Sequence, residues 1–182
     1  MKETYKKQVS LLLDIMPEIA KENVFALHGG PAINLFCLNM PRLSVDIDLT
    51  YIPASNNRNK DLQNIRSALE RVKEQLKRRI TNISFADPIR AEEDLKLICT
   101  TPDAMVKIEV NQINRGIIAE TEWVMLCDKA QETLDKFCEV RMVSRKQHPA
   151  IRWKLLNIKK LRESNPQKHS EQVKMLKQML MC

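Results

Sequence analysis

The chain is poor in several of the residues that mark common protein classes. Only 4% of its 182 residues are aromatic, so leucine, isoleucine, valine and methionine must build the core. Its five cysteines, at positions 37, 99, 127, 138 and 182, are odd in number and show no CxxC spacing. That pattern argues against both a zinc knuckle and a disulfide framework, and it fits a reduced cytoplasm. Long apolar runs are missing too: Leu11-Leu12-Leu13 is bounded by Asp14 and Glu18 before a signal core or a membrane span could form. A soluble, cytoplasmic protein without a membrane partner is expected. Internal repeats and low-complexity segments are absent. Glycine is scarce as well, with three in the chain, and two of them are adjacent.

Those two glycines lie in the run His28-Gly29-Gly30-Pro31-Ala32-Ile33-Asn34-Leu35-Phe36, which precedes Arg42-Leu43-Ser44-Val45-Asp46-Ile47-Asp48-Leu49. Adjacent glycines let the backbone turn sharply and expose N–H groups to an anion. The apolar residues after them predict a helix over 31–38, opened by a proline at a tolerated position and closed before Pro41. From Ser44 to Leu49 the apolar residues alternate with Ser44, Asp46 and Asp48, the period of a strand. Asp46 and Asp48 therefore point the same way, and two such carboxylates repel unless a divalent cation lies between them.

The rest of the chain gives a mixed pattern. Val9, Leu12, Leu13, Met16 and Ile19 predict an amphipathic helix over 5–21, with Pro17 as a candidate kink. Val24 to Leu27 predicts a strand leading into the glycines. Leu62, Ile65, Leu69, Val72 and Leu76 recur at helical spacing and predict a helix of roughly 20 residues. Strands are predicted over 83–89, 95–100 and 105–113, then a strand over 123–127, a helix over 130–137 and a strand over 140–143. In the 105–113 strand Lys107, Glu109 and Asn111 share one face. Two amphipathic helices follow, the first carrying Ile151, Leu155, Ile158 and Leu161, the second beginning after Asn165-Pro166. The fold class is α+β, a mixed sheet flanked by helices with a helical C-terminal tail.

Charge divides the chain in the same place. Residues 1–147 hold 22 Lys/Arg against 21 Asp/Glu, whereas residues 148–182 hold 8 against 2. The formal net charge of +7 is thus a property of the tail. A basic helical tail is either a nucleic-acid footprint or a solvated helix face.

Nucleotidyl transfer needs a backbone cradle for phosphates, carboxylates that hold Mg²⁺, and a third acid on a neighbouring strand. Gly29 and Gly30 are candidates for the cradle, Asp46 and Asp48 for the metal ligands, and Glu109 for the third carboxylate. Ser44 and Arg42 are candidates for contacts to a triphosphate. Each has a plainer alternative. A Gly-Gly pair is usually a turn, a D-x-D pair occurs on exposed strands and in calcium loops, and His28 is more often a packed residue than a catalyst. With fifteen residues between Gly30 and Asp46 and a helix in the gap, the combination becomes specific.

The run H-G-G-x-A-I-N-L-F followed by P-R-L-S-V-D-I-D-L-T-Y resembles the first motif of the AbiEii/AbiGii-type nucleotidyltransferase toxins, within the polymerase-β-like superfamily. V-K-I-E-V-N at 106–111 is similar to that family's second motif. The resemblance covers residues 1–147, leaving 148–182 as a basic helical tail. It implies a nucleotidyltransferase-like sheet, a nucleoside triphosphate used with Mg²⁺, and a toxin neutralised by a cognate antitoxin in phage-defence abortive infection. Some relatives add nucleotides to tRNA, which implies an RNA acceptor.

Two departures stand out. Pro31 replaces the Thr or Ser usual after the glycines, removing a hydroxyl and a backbone N–H. The family's later K-x-x-A-x-x-x-R helix and its aspartate are expected soon after Val143, yet Ser144-Arg145-Lys146-Gln147 runs directly into a segment similar to the family's C-terminus. The expectation is a lost central helical portion, with Lys107 or Lys154 in place of the usual lysine. Two other readings follow from this. One is an inactive binding or oligomerisation module whose uncovered apolar surface favours a homo-oligomer, and the other is a basic nucleic-acid-binding domain without catalysis.

Overall fold

The computed structural model describes residues 3–41, 44–55, 57–86, 95–113, 115–117, 120–144 and 165–181. Helix α1 spans Glu3–Ala20 and runs through Pro17, which sits in its last turn and leaves the helix unbroken. Strand β1 is Phe25–His28, and a single helical turn, α2, covers Gly29–Pro31. The predicted helix continues from there as a π-helical stretch, Ala32–Cys37, rather than an α-helix. Strand β2 is Asp46–Tyr51, two residues later than the alternation suggested. Helix α3, Arg58–Arg79, starts where the Asn57 side chain accepts the Lys60 N–H at 3.1 Å and ends in Lys77, Arg78 and Arg79, which suit its negative end.

Strands β3 (Ser84–Ala86), β4 (Lys96–Thr100) and β5 (Met105–Asn111) follow, then β6 (Glu122–Met125), helix α4 (Asp128–Leu134) and β7 (Glu139–Met142). Residues 87–89 of the expected 83–89 strand lie outside the described residues. So does the helix expected around Ile151 to Leu161. The last helix, α5, spans Pro166–Met181, and the Asn165 side chain accepts the Lys168 N–H at its start.

The strands form one seven-stranded sheet in the order β3-β4-β5-β2-β1-β7-β6. Pairing is parallel between β2 and β5 and between β1 and β7, and antiparallel elsewhere, so the sheet is mixed. The apolar residues of the central strands, including Leu27, Ile47, Leu49, Leu97, Cys99, Val106, Ile108 and Val110, join the stripes of α1 and α3 in one core. Every apolar position expected to face inward on those two helices is buried. At about 1.5–3 kcal/mol for each fully buried large aliphatic side chain, that face supplies most of the drive to fold.

Charge pins the helices to one another. Glu18, 2% exposed on α1, meets Arg79 at 2.7 Å and Lys21 at 2.5 Å. Burial alone would raise its pKa, but the hydrogen bonds from Lys21 and Arg79 outweigh this and hold it below the usual carboxylate range. Glu22 accepts two bonds from Arg71 of α3, at 2.9 and 2.8 Å.

Candidate functional site

The site grows out of register. Asp46 pairs with Lys107 and Asp48 with Glu109 across the parallel β2–β5 ladder, while His28 lies opposite Asp48 and Lys96 opposite Glu109. Paired residues share a face, so His28, Asp48, Glu109 and Lys96 form one row across four strands. Ile47 and Ile108, on the opposite face, are 0% exposed. A slip of one residue would drive the acids into the core, so the apolar face fixes the acid face.

Beside this row the chain makes its tightest approach. Gly29 adopts φ +79°, and a Cβ there would lie 2.1 Å from Asp48 Oδ2. A Cβ on Gly30 would lie 2.3 Å from Ser44 Oγ. Gly29 is thus required by backbone conformation as well as by space, while a side chain at Gly30 would force the Ser44 hydroxyl to move. The Asn34 side-chain amide donates to the Gly30 carbonyl at 2.8 Å and secures the turn. Asn34 itself is buried within the π-helical stretch, a helix type that recurs at functional sites.

Electrostatics separate the acids. Burial, then the charges of Asp46 and Glu109, raise the Asp48 pKa, with Lys107 opposing. Glu109 goes the other way: Lys107 Nζ bonds it at 2.9 Å and, with Lys96 at 3.8 Å, holds its pKa low. Lys107 is correspondingly held in its charged form, chiefly by the hydrogen bond to Glu109. Burial lowers the His28 pKa, with the Leu49 backbone opposing, and among the described residues neither ring nitrogen has a hydrogen-bond partner of good geometry.

A pocket of about 320 Å³ opens from the row toward the C-terminal end of β5, lined by His28, Asp48 and Glu109 at one end and by Leu95, Val110 and Ile113 at the other. Hydrogen bonds brace the described residues at and after the end of β5. Ile113 N–H donates to Asn111 Oδ1 at 3.0 Å, Arg115 donates to the Gln112 carbonyl at 2.9 Å and to Asp61 at 3.0 Å, and Gly116 N–H donates to the Tyr51 carbonyl at 2.8 Å.

The structure brings together Gly29, Gly30, Ser44, Asp46, Asp48, Lys107 and Glu109 as sequence candidates, while Arg42 and Lys154 lie outside the described residues. Sequence reasoning missed Lys96, Asn34 and the Asp61–Arg115 brace. Asn34 carried a signal, as a lone amide in an apolar helix four residues after Gly30. Lys96 carried none, because its place depends on strand order.

The donor set suits a hard divalent cation. Asp46 and Asp48 offer oxygens from one strand, and their repulsion with Glu109, visible in the raised Asp48 pKa, is what a cation would relieve. Among the described residues no three acid, histidine or cysteine groups are close enough to hold an ion. Glu109 would join the pair by giving up part of its bond to Lys107.

A mixed sheet with a glycine turn packed on paired strand acids defines a nucleotidyltransferase-type fold. The family description "Nucleotidyl transferase AbiEii toxin, Type IV TA system" matches residues 10–150, so the chain belongs to the AbiEii nucleotidyltransferase toxin family. Among solved structures it is similar to MenT4, a nucleotidyltransferase toxin from Mycobacterium tuberculosis H37Rv, with a TM-score of 0.54 and 13% identity. That alignment covers 87% of this chain and 55% of MenT4, so the chain spans little more than half of its structural relative. At that identity the likeness speaks for the fold alone. No curated protein sequence matches.

Proposed function

We propose that this chain transfers a nucleotidyl group from a nucleoside triphosphate to an acceptor hydroxyl, as the toxin of a toxin–antitoxin pair. The observation that carries this reading is the register that sets Asp46 and Asp48 beside Glu109, with Gly29 packed on Asp48. In this reading Gly29, Gly30, Ser44 and Arg42 hold the triphosphate, and Asp46, Asp48 and Glu109 hold the metal. Mg²⁺, when bound, would neutralise phosphate charge and polarise the α-phosphoryl group. The acceptor oxygen attacks the α-phosphorus in line, the bond from that phosphorus to the bridging oxygen breaks, and pyrophosphate leaves with the electron pair. The hydroxyl proton passes to the carboxylates that border the pocket. Lys107 positions Glu109 and adds positive charge beside the phosphates. Residues 1–147 form the catalytic unit and the basic residues of 148–182 add an electrostatic contact to an RNA acceptor such as tRNA. A cognate antitoxin is the protein partner.

The test is incubation with Mg²⁺, each labelled triphosphate and total cellular RNA, followed by assay of label transfer. Asp46→Asn should abolish transfer while leaving the fold intact, and unchanged transfer would sink the assignment.

A second reading has its own observation. Glu109 is engaged by Lys107, and no three-group cluster closes among the described residues. This favours a binding module that keeps the nucleotide site without chemistry and acts through the antitoxin or a second copy. Retained triphosphate binding with no transfer to any RNA would select it.

A further inference from the structure

The two edges of the sheet differ. Strand β3 is three residues long and exposes no large apolar side chain. Strand β6, at the other edge, exposes Trp123 (49%) and Met125 (53%). Trp123 pairs with Arg141 and Met125 with Glu139 of β7, so the four share one face, opposite to the buried Val140 and Met142. Phe137, 75% exposed, stands two residues before Glu139, and the Leu126 N–H bond to the Cys138 carbonyl at 2.9 Å carries the ladder toward it. Arg141 lies over the Trp123 ring at 5.1 Å and donates to the Asn23 carbonyl at 2.9 Å, which holds the indole in place. Tryptophan, methionine, phenylalanine and arginine are the types that gather at the centre of protein interfaces.

Charge narrows the occupant. Residues 120–141 hold six Asp/Glu against three Lys/Arg, in a chain whose net charge is +7. Glu120, Glu122 and Glu139 are exposed, while Lys136 is already paired with Asp14. Pairing this edge with the same edge of another copy would bring two acidic faces together, and a polyanion such as RNA would be repelled. A basic segment with an apolar stripe fits instead. Residues 148–182 hold 8 Lys/Arg against 2 Asp/Glu. Within them helix α5 exposes Lys168 and Lys174, and its sequence carries Val173, Leu176 and Leu180 at helical spacing. Trp123, Met125 and Phe137 keep their exposure with the chain's own α5 in place, so that helix leaves the face open to another copy. We infer that the β6–β7 face is an interface between copies of this chain and that its occupant is helix α5 of a second copy. The apolar stripe of that helix lies on Trp123, Met125 and Phe137, and its lysines meet Glu122 and Glu139. The contact joins unlike surfaces and holds whether or not the chain transfers nucleotides.

The test is sedimentation velocity of the full chain, free of nucleic acid, over a concentration series. The sedimentation coefficient should rise with concentration, and the rise should shrink between about 0.1 M and about 1 M salt, where the screening length falls from about 10 Å to about 3 Å. Glu122→Lys with Glu139→Lys should weaken self-association on the order of tenfold, and so should Lys168→Glu with Lys174→Glu. All four positions are exposed, so both variants should fold, as circular dichroism would show. Mixed in equal amounts, the two variants should associate with each other as the unsubstituted chain does with itself, because the reversed face of one then meets the reversed helix of the other. Trp123→Ser should weaken association with no change of charge, through loss of the apolar anchor. A monomer at every concentration overturns the proposal, whether the face stays empty or takes the chain's own tail. So do association that ignores the helix substitutions, a mixture that fails to restore it, and association that appears only when RNA is added.

Discussion

The two faces of β2 and β5 are built from alternate residues of the same strands and behave as different materials. Ile47, Leu49, Ile108 and Val110 are at most 2% exposed and pack under α1 and α3. Asp46, Asp48, Lys107 and Glu109, one position away, face solvent and repel or pair across the ladder. One face carries stability and tolerates no charge, while the other carries charge at some cost to stability. The raised pKa of Asp48 is that cost made visible, since its carboxylate is less comfortable in the fold than in water. Substitutions on the two faces should therefore fail in opposite ways.

The largest effect belongs on the acid face. Asp48→Asn keeps the shape and removes the charge, and if the chain transfers nucleotides, the rate should fall on the order of 10³-fold, the scale of losing one strong electrostatic group. Thermal unfolding should show no loss of stability, because the substitution also removes repulsion from Asp46 and Glu109. A clear drop in melting temperature would show that Asp48 is a structural residue and break the contrast. On the other face, Ile108→Ala should cost about 2–5 kcal/mol by denaturant titration, from lost burial and the cavity left behind. It should leave triphosphate affinity unchanged in the folded fraction.

A smaller effect tests the brace after the end of β5. Asp61 is 2% exposed and accepts bonds from Ser55 N–H at 3.1 Å, Ser55 Oγ at 2.7 Å and Arg115 at 3.0 Å. Burial favours its neutral form, but the Ser55 and Arg115 bonds prevail and hold its pKa below the usual value. Asp61→Asn should cost about 2 kcal/mol, the worth of hydrogen bonds to a charged group. The sign of the pH dependence follows from the lowered pKa. The unfolded chain takes up the proton first, so this stabilisation is complete above the ordinary carboxylate range near 4 and disappears as pH falls through the lower folded value. Stability measured against pH should therefore lose part of its acid limb in Asp61→Asn and again in Glu18→Gln, which has the same direction of shift.

Much of the acid face could be read from local pattern. The alternation through Val45, Ile47 and Leu49 put Asp46 and Asp48 on one side, and the same rule aligned Lys107 with Glu109. What no local pattern carries is which strand lies beside which. Between β2 and β5 the chain passes through α3 and the β3–β4 pair before β5 takes the side of β2 away from β1. Lys96 entered the row only through that order. The Asp61–Arg115 contact spans 54 residues and is invisible for the same reason. The π-helical geometry after Pro31 was also hidden, since apolar spacing over six residues fits several helix types. Pro17 misled in the opposite sense, because a proline so near the end of α1 forfeits a bond without ending the helix.

Lys107 gives the smallest expected change in stability and the sharpest use of the comparison. It stands on the acid face, is 37% exposed, and neutralises Glu109 at 2.9 Å. A half-exposed pair of this kind is worth less than about 1 kcal/mol. Removing it also leaves Glu109 and Asp48 facing each other without the lysine's charge, so Lys107→Met should lower stability slightly. Its effect on transfer separates the two readings of the site. If Lys107 supplies charge to the phosphates, the rate should fall about tenfold or more at saturating triphosphate, as for other positioned charges. If Lys107 is a lock that keeps Glu109 away from the metal, Lys107→Met should instead tighten Mg²⁺ binding, measured by calorimetry, with any transfer unchanged or faster. The first outcome makes the cation part of the reaction, and the second makes it the reason the acid row stays open.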